Sequence, residues 1–249
     1  VERKIRVGAV QYLNTKPLIY GLEKGLMKEQ INLVMDYPAN IANKLIEDQI
    51  DIGLVPVATI PRLKEHFIVS DYGIACDGEV ASVCLFSDVP MEEITNVLLD
   101  YQSRTSVRLA RILMKEFWKI TPQLVDTRED FRGQIRGTTA GIVIGDRALE
   151  QRKDSAFVFD LGQAWKEMTG LPFVFAAWIS NKPIQQHFID DFNAANKYGL
   201  DRLEEVVSLH PYQTYDLFKY YKQDIDYKLN EEKIKGLDLY LNYLERFGL

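Results

Sequence analysis

The sequence predicts an α/β protein of two lobes around a ligand cleft. Three observations carry that expectation. Strand and helix periodicities alternate along the chain, no Gly/Ser/Pro-rich linker or repeat divides it, and 249 residues at 47% hydrophobic content can bury one large core or two smaller ones.

The first elements read IRVGAV as strand, TKPLIYGLEKG as helix, INLVMDY as strand, NIANKLIEDQ as helix and DIGLV as strand. A βαβαβ order needs crossover helices, so it gives a parallel sheet with helices on its faces. Pro17 suits the first turn of its helix, where a missing N–H costs nothing, and Gly25 is placed to stop it. A second run, VASVCLF, NVLLD, SVRLARILMKEFW, QLVD, AGIVI, AFVFD and FVFAAW, again mixes short apolar strands with helices. Within it, GEVASVCLFS is expected to hold the strand that crosses between lobes. From Pro183 onward the chain reads as helical, and Ile234, Leu237, Leu241 and Leu244 give the last helix an apolar face. The lobes then comprise residues 1–86 with about 181–249, and about 87–180.

Composition removes several function classes. A formal charge of -6 argues against a phosphate-backbone surface, so no nucleic-acid partner is expected. No apolar run approaches the roughly 20 residues of a membrane helix, and VERKIRVGAV is too short and too charged for a secretory leader. Cys76 and Cys84 form no CxxC pair and read as reduced core residues, while His66, His187 and His210 stand in no ligand or triad spacing. Neither GxGxxG nor a P-loop occurs, and no cluster of ligand residues implies a metal or cofactor.

Ligands of open α/β sheets bind beyond the carboxyl ends of strands, at helix N-termini. Four stretches fit. QYLNTK places Tyr12, Asn14 and Lys16 after the first strand, Lys16 reading as a solvated helix-start charge. In NVLLDYQSRTSVRLARIL a strand ends at Asp100, and Ser103, Arg104, Thr105 and Ser106 open a helix; the cluster reads either as simple capping by Ser103 or as a site for an anion. Ser82 interrupts an apolar run, either satisfied by a backbone carbonyl or turned to a ligand. AGIVIGDRAL supplies Gly145, which permits close backbone approach, and Asp146, which can cap a helix. An acid bound by so negative a chain must be held by such local donors, and two facing clusters suit a ligand with two acidic ends.

VGAVQYLNTKPLIYGL, DIGLVPVA, GEVASVCLFS, SRTSVRLARIL, IGDRAL and DLGQAWKEMTGLPFVFAAW together, from about residue 5 to 180, resemble the chorismate dehydratases of the futalosine route to menaquinone. That resemblance implies a type II periplasmic-binding-protein-like fold in a cytoplasmic hydro-lyase. Its small-molecule substrate is chorismate, its product 3-[(1-carboxyvinyl)oxy]benzoate, and it needs no cofactor. The resemblance also puts the family's Asn of YLNT on Asn14 and its Ser of VxSVxLFS on Ser82. Neither is a strong base at neutral pH, so the substrate's enolpyruvyl carboxylate is expected to take the ring proton while Asn14 and Ser82 orient it and hydrogen-bond the departing hydroxyl. The SRTS helix start would hold a substrate carboxylate with Arg104 as ion-pair partner, and Tyr12 would give the flat ring a wall. A solute-binding protein for a small dicarboxylate is the competing expectation, because fold alone does not separate the two.

Overall fold

The computed structural model describes residues 3–249. Its first strand β1 (Ile5–Val10) leads through a 3-10 turn (Leu13–Thr15) into α1 (Lys16–Glu23), then β2 (Ile31–Asp36), α2 (Pro38–Ile46), β3 (Ile52–Pro56) and the long β4 (Phe67–Cys76). There follow β5 (Val83–Ser87), β6 (Asn96–Leu99), α3 (Thr105–Leu113), β7 (Gln123–Asp126), β8 (Thr139–Ile144), α4 (Asp146–Gln151), β9 (Phe157–Asp160) and α5 (Leu161–Thr169). The chain ends with β10 (Phe173–Ser180), α6 (Gln186–Leu200), α7 (Leu203–Leu209), α8 (Leu217–Lys219), β11 (Asp226–Lys228) and α9 (Glu231–Phe247).

Two mixed sheets result, so the α/β expectation stands. The first has the order β11-β4-β10-β3-β1-β2, with β1 parallel to both β2 and β3 and β10 antiparallel to β3. The second runs β7-β6-β8-β5-β9; β6 is parallel to β7 and β8, while β5 is antiparallel to β8 and β9. As the sequence implied, Pro17 lies in the first turn of α1, and Gly25 follows that helix with φ +83°. Cys76 and Cys84 are both free and buried, and burial pushes their thiols well up.

The chain divides into two compact units. One runs up to Ala75 and resumes over Val174–Glu231; the other comprises Cys76–Phe173 and Glu232–Leu249. These boundaries differ from the expected 86 and 181. The FVFAAW strand β10, expected in the second lobe, pairs with β3 in the first sheet, which brings the return to the first unit forward to Val174. Two further features move the rest. β4, which the alternation did not reveal, carries the chain to the division, so the VASVCLF strand β5 sits between β8 and β9 inside the second sheet. The last helix also belongs to the second unit. Its buried face is Lys233, Gly236, Leu237, Tyr240 and Leu244, one step round from the expected stripe, with Ile234 and Leu241 half-buried on the flank. Tyr240 meets Phe173 and Trp165 edge-on at 5.0 and 6.3 Å, and a Cβ on Gly236 would stand 2.1 Å from the Pro172 carbonyl oxygen.

In the first unit α1 crosses α6 at backbone contact distance. A Cβ on Gly199 would lie 2.0 Å from the Pro17 carbonyl oxygen and one on Gly21 2.2 Å from that of Ala195. Only glycine permits this approach, and it fixes the helix that begins beside Asn14. Among the described residues no helix is long and apolar enough to cross a membrane.

Candidate functional site

In the first unit, parallel β1 and β3 end together, so the turn Gln11–Lys16 and the 3-10 segment Val57–Arg62 share one end of the sheet. Tyr12, half-buried and extended at φ -73°, accepts the Thr15 N–H at 3.0 Å and thereby closes the turn that holds Asn14. The Leu13 carbonyl accepts the Lys16 N–H in the same ladder, and the acceptor after it is the Asn14 carbonyl, whose partner would be residue 17, a proline without an N–H. The buried Tyr227 hydroxyl donates there instead, at 2.9 Å. Burial pushes the Tyr227 phenol well up, so it keeps its proton. The half-buried Asn14 side chain is lightly engaged: its Oδ1 accepts a long 3.4 Å bond from the Thr15 hydroxyl. Thr59 is fully buried at the same sheet end, and its Oγ1 has no hydrogen-bond partner among the described residues.

In the second unit, β6, β7, β8 and β9 all point one way and β5 the other. The loops after β6, β8 and β9 and the loop before β5 therefore meet at one end of the sheet. That end gathers Ser82, Gly145, Asp146 and the Ser103–Ser106 helix start, four stretches scattered in sequence. Ser82 is fully buried, and its carbonyl accepts the Gly145 N–H at 2.8 Å; Gly145 has φ +65°, which glycine adopts without strain. Asp146 stands in the first turn of α4, with Gly145 rather than Asp146 at the capping position. In α3, Arg104 occupies the formal cap position, and the Ser103 hydroxyl accepts the Ser106 N–H at 3.0 Å. Ser103 thus caps, which leaves fewer first-turn N–H groups for an anion. Thr105 and Ser106 are buried, and the Thr105 carbonyl accepts from the Tyr240 hydroxyl at 3.0 Å.

Two carboxylates tie these loops together, and sequence reading gave neither a role. Asp100 accepts the Ile144 and Gln102 N–H groups at 3.2 and 2.9 Å and the Arg147 guanidinium at 2.8 Å, joining the β6 and β8 loops. Asp160, at the end of β9, accepts from Gly162 and Gln163 as the cap of α5 and also from Val80 and Ala81. Burial pushes both carboxyls up, opposed at Asp100 by Arg147 and at Asp160 by backbone N–H groups. An Asp closing the apolar run AFVFD before LGQAW was a legible capping signal; its reach to residues 80 and 81 was not. Tyr227 had no signal at all.

Of the three histidines only His210 lies near the Asn14 turn, through Lys16. His66 and His187 are exposed, and burial, with Lys16 close by, lowers the half-buried His210. Among the described residues no three His, Cys, Asp or Glu side chains could share a metal ion. The sheet end of the first unit offers the Tyr12 hydroxyl and the Asn14 amide beside Lys16. That of the second offers the Ser82, Ser103, Thr105 and Ser106 hydroxyls, backbone N–H groups and the Arg104 and Arg147 guanidiniums, with Asp146 in the first turn of α4 and Asp100 and Asp160 already held by donors. Each set suits holding and polarising an oxygen-rich anion.

Comparison with known proteins places this arrangement. The chorismate dehydratase of Thermus thermophilus is 26% identical over an alignment 265 positions long, which takes in 96% of this chain and 94% of that protein. Among solved structures, a protein from Archaeoglobus fulgidus matches with TM-score 0.77 at 14% identity, covering 98% of each chain. The periplasmic aliphatic sulphonate binding protein of Escherichia coli matches with TM-score 0.66 at 15% identity, covering 100% of this chain and 94% of its own. The fold is accordingly periplasmic-binding-protein-like. A family model described as menaquinone biosynthesis matches residues 5–246, essentially the whole chain, and the protein belongs to that family.

Proposed function

We propose that this protein is a chorismate dehydratase, converting chorismate to 3-[(1-carboxyvinyl)oxy]benzoate in the cytoplasm with no membrane or nucleic-acid partner. The observation that carries the reading is the family membership over residues 5–246 together with the end-to-end likeness to the Thermus thermophilus enzyme. The residues are compatible with the chemistry. Elimination breaks a ring C–H bond, sends its electron pair into the new ring double bond and expels the neighbouring hydroxyl as water. Aromatisation supplies driving force, so the protein needs to orient and polarise more than to titrate.

In this reading Asn14, whose amide is lightly engaged, and Ser82, whose backbone is fixed by Gly145, orient the enolpyruvyl carboxylate and hydrogen-bond the departing hydroxyl. The substrate carboxylate accepts the ring proton and passes it to the departing hydroxyl, which leaves as water. Tyr12 flanks the ring. The helix start at Arg104–Ser106 and the Gly145–Asp146 turn contribute donors for a second carboxylate. The test is incubation of purified protein with chorismate. A product lighter by one water, with the spectrum of a substituted benzoate, supports the reading. Saturable binding of chorismate without turnover sinks it and leaves a solute-binding role.

A further inference from the structure

Ser82 follows a turn that the backbone does not adopt freely. Its N–H closes back on the Val80 carbonyl at 2.7 Å, and the residue enclosed, Ala81, has φ +63°. A γ-turn with positive φ at a residue bearing a Cβ is strained, and such strain persists only where surroundings over-determine it. The surroundings here are specific. The Asp160 carboxylate accepts the Val80 N–H at 3.1 Å and the Ala81 N–H at 2.8 Å; it also caps α5 through Gly162 and Gln163 and accepts from the Cys84 thiol at 3.7 Å. On the far side the Ala81 carbonyl accepts from Arg152 at 3.1 Å, and the Ser82 carbonyl from Gly145. Gly162 lets the two loops approach: a Cβ there would lie 2.6 Å from the Gly78 carbonyl oxygen and 2.5 Å from the Cys76 sulfur.

We propose that Asp160 is a positioning residue for Ser82: by gripping the Val80 and Ala81 N–H groups from the end of β9, it holds the strained turn that sets where the Ser82 hydroxyl stands. This gives the DLGQAW stretch a task beyond starting α5. The proposal rests on the reading of Ser82 as catalytic, and the experiment separates the two.

Turnover and KM for chorismate are measured for Asp160→Asn, Ala81→Gly, Ser82→Ala and the double variant Asp160→Asn with Ser82→Ala, with thermal unfolding for each. Asp160→Asn replaces one acceptor oxygen by a donor facing backbone N–H groups. It should lower kcat about tenfold or more with KM changed less than about threefold. In the Ser82→Ala background the same change should cost almost nothing further, because the group it positions is gone. Ala81→Gly relieves the positive φ, so Tm should rise by roughly 2–4 °C while kcat falls. A purely structural role would move stability and active fraction together, not in opposite directions. Ala81→Gly also keeps the test decisive if Asp160→Asn fails to fold. Losses that multiply in the double variant, or full kcat in both Asp160→Asn and Ala81→Gly beside an inactive Ser82→Ala, overturn the positioning role alone. A fully active Ser82→Ala overturns the reading of Ser82 first.

Discussion

Gly199→Ala should destabilise the first unit, although Gly to Ala in a helix ordinarily stabilises by about 1 kcal/mol. The reason is the crossing of α1 and α6. The added methyl would stand 2.0 Å from the Pro17 carbonyl oxygen, 3.0 Å from its carbon and 2.8 Å from the Tyr20 Cβ. Two of the three atoms are backbone, so no rotamer change relieves the contact. The helices must separate by about an ångström, and overpacking of this kind costs about 1–3 kcal/mol. Because the relief strips contact from a whole helix face, the upper part of that range applies, and a net loss of about 2 kcal/mol is expected after the propensity gain. In a chain of this size that corresponds to a fall in Tm of about 4–8 °C. Pro17 also follows directly on the turn that holds Asn14, so turnover should fall with stability. Thermal unfolding and chorismate turnover read both effects. Gly133→Ala is the control: no atom lies within 4 Å of its Cβ position, and it should be neutral. An unchanged or raised Tm for Gly199→Ala would refute the close-crossing argument.

Asn14→Ala and Ser82→Ala should each keep their fold and lose on the order of a hundred- to a thousandfold in turnover, whereas His66→Ala and His187→Ala should retain it; an inactive histidine variant beside an active Asn14→Ala would restore an imidazole base. Exhaustive chelation should leave chorismate turnover intact, and activity lost and then restored by one divalent ion would contradict the mechanism. Thr59→Val should raise the urea midpoint, by about 1 kcal/mol in stability, because it replaces a buried hydroxyl that has no partner among the described residues with a methyl of similar size; a lowered midpoint would show that the hydroxyl is used. Acid should weaken the first unit. Lys44, Asn40 and the Tyr37 N–H lower the Asp36 carboxyl to about 2, and at Asp51 hydrogen bonds from Arg6 and Lys182 overcome burial to hold it well below the usual range. Both folded values lie under the unfolded one, so their stabilisation is present above about pH 4 and lost as pH falls toward about 2; a urea midpoint that stays flat across that window would contradict the pairing.

The elements that sequence revealed are those whose periodicity is local. IRVGAV, INLVMD, IGLVP and TAGIVI each became a strand because a short apolar run bounded by polar residues has few other ways to bury itself. β4 was missed because FIVSDYGIAC alternates poorly and carries a polar Ser-Asp pair in its middle. The last helix was placed in the wrong unit because an amphipathic pattern shows that a face is buried, not what covers it; the partners Trp165, Phe173 and Pro172 lie some 60 to 80 residues earlier in a chain whose contacts do not follow order. Of the candidate residues, Ser82, Ser103–Ser106, Gly145 and Asp146 do converge at one sheet end, which strand-end reasoning anticipates. What holds them, Asp100 and Asp160 gripping distant N–H groups, depends on register between strands and leaves no trace in spacing.

Because the chain passes from one unit to the other at Ala75, at Phe173 and again at Glu231, the order of synthesis constrains the order of folding. The first unit lacks β10, α6 and β11 until the nascent chain has been made past residue 228, and the second lacks the Tyr240 side of its aromatic cluster until later still. At about 5–20 residues per second, the first sheet stays incomplete and the aromatic cluster of the second unit uncovered for most of the roughly 10–50 s that translation of these 249 residues takes. During that interval the β3 edge that β10 later covers stands open, and the Trp165 face that α9 later covers is bare, so the nascent chain should depend on chaperones more heavily than its length implies. Removing the last 18 residues would leave the second unit in that unfinished condition permanently.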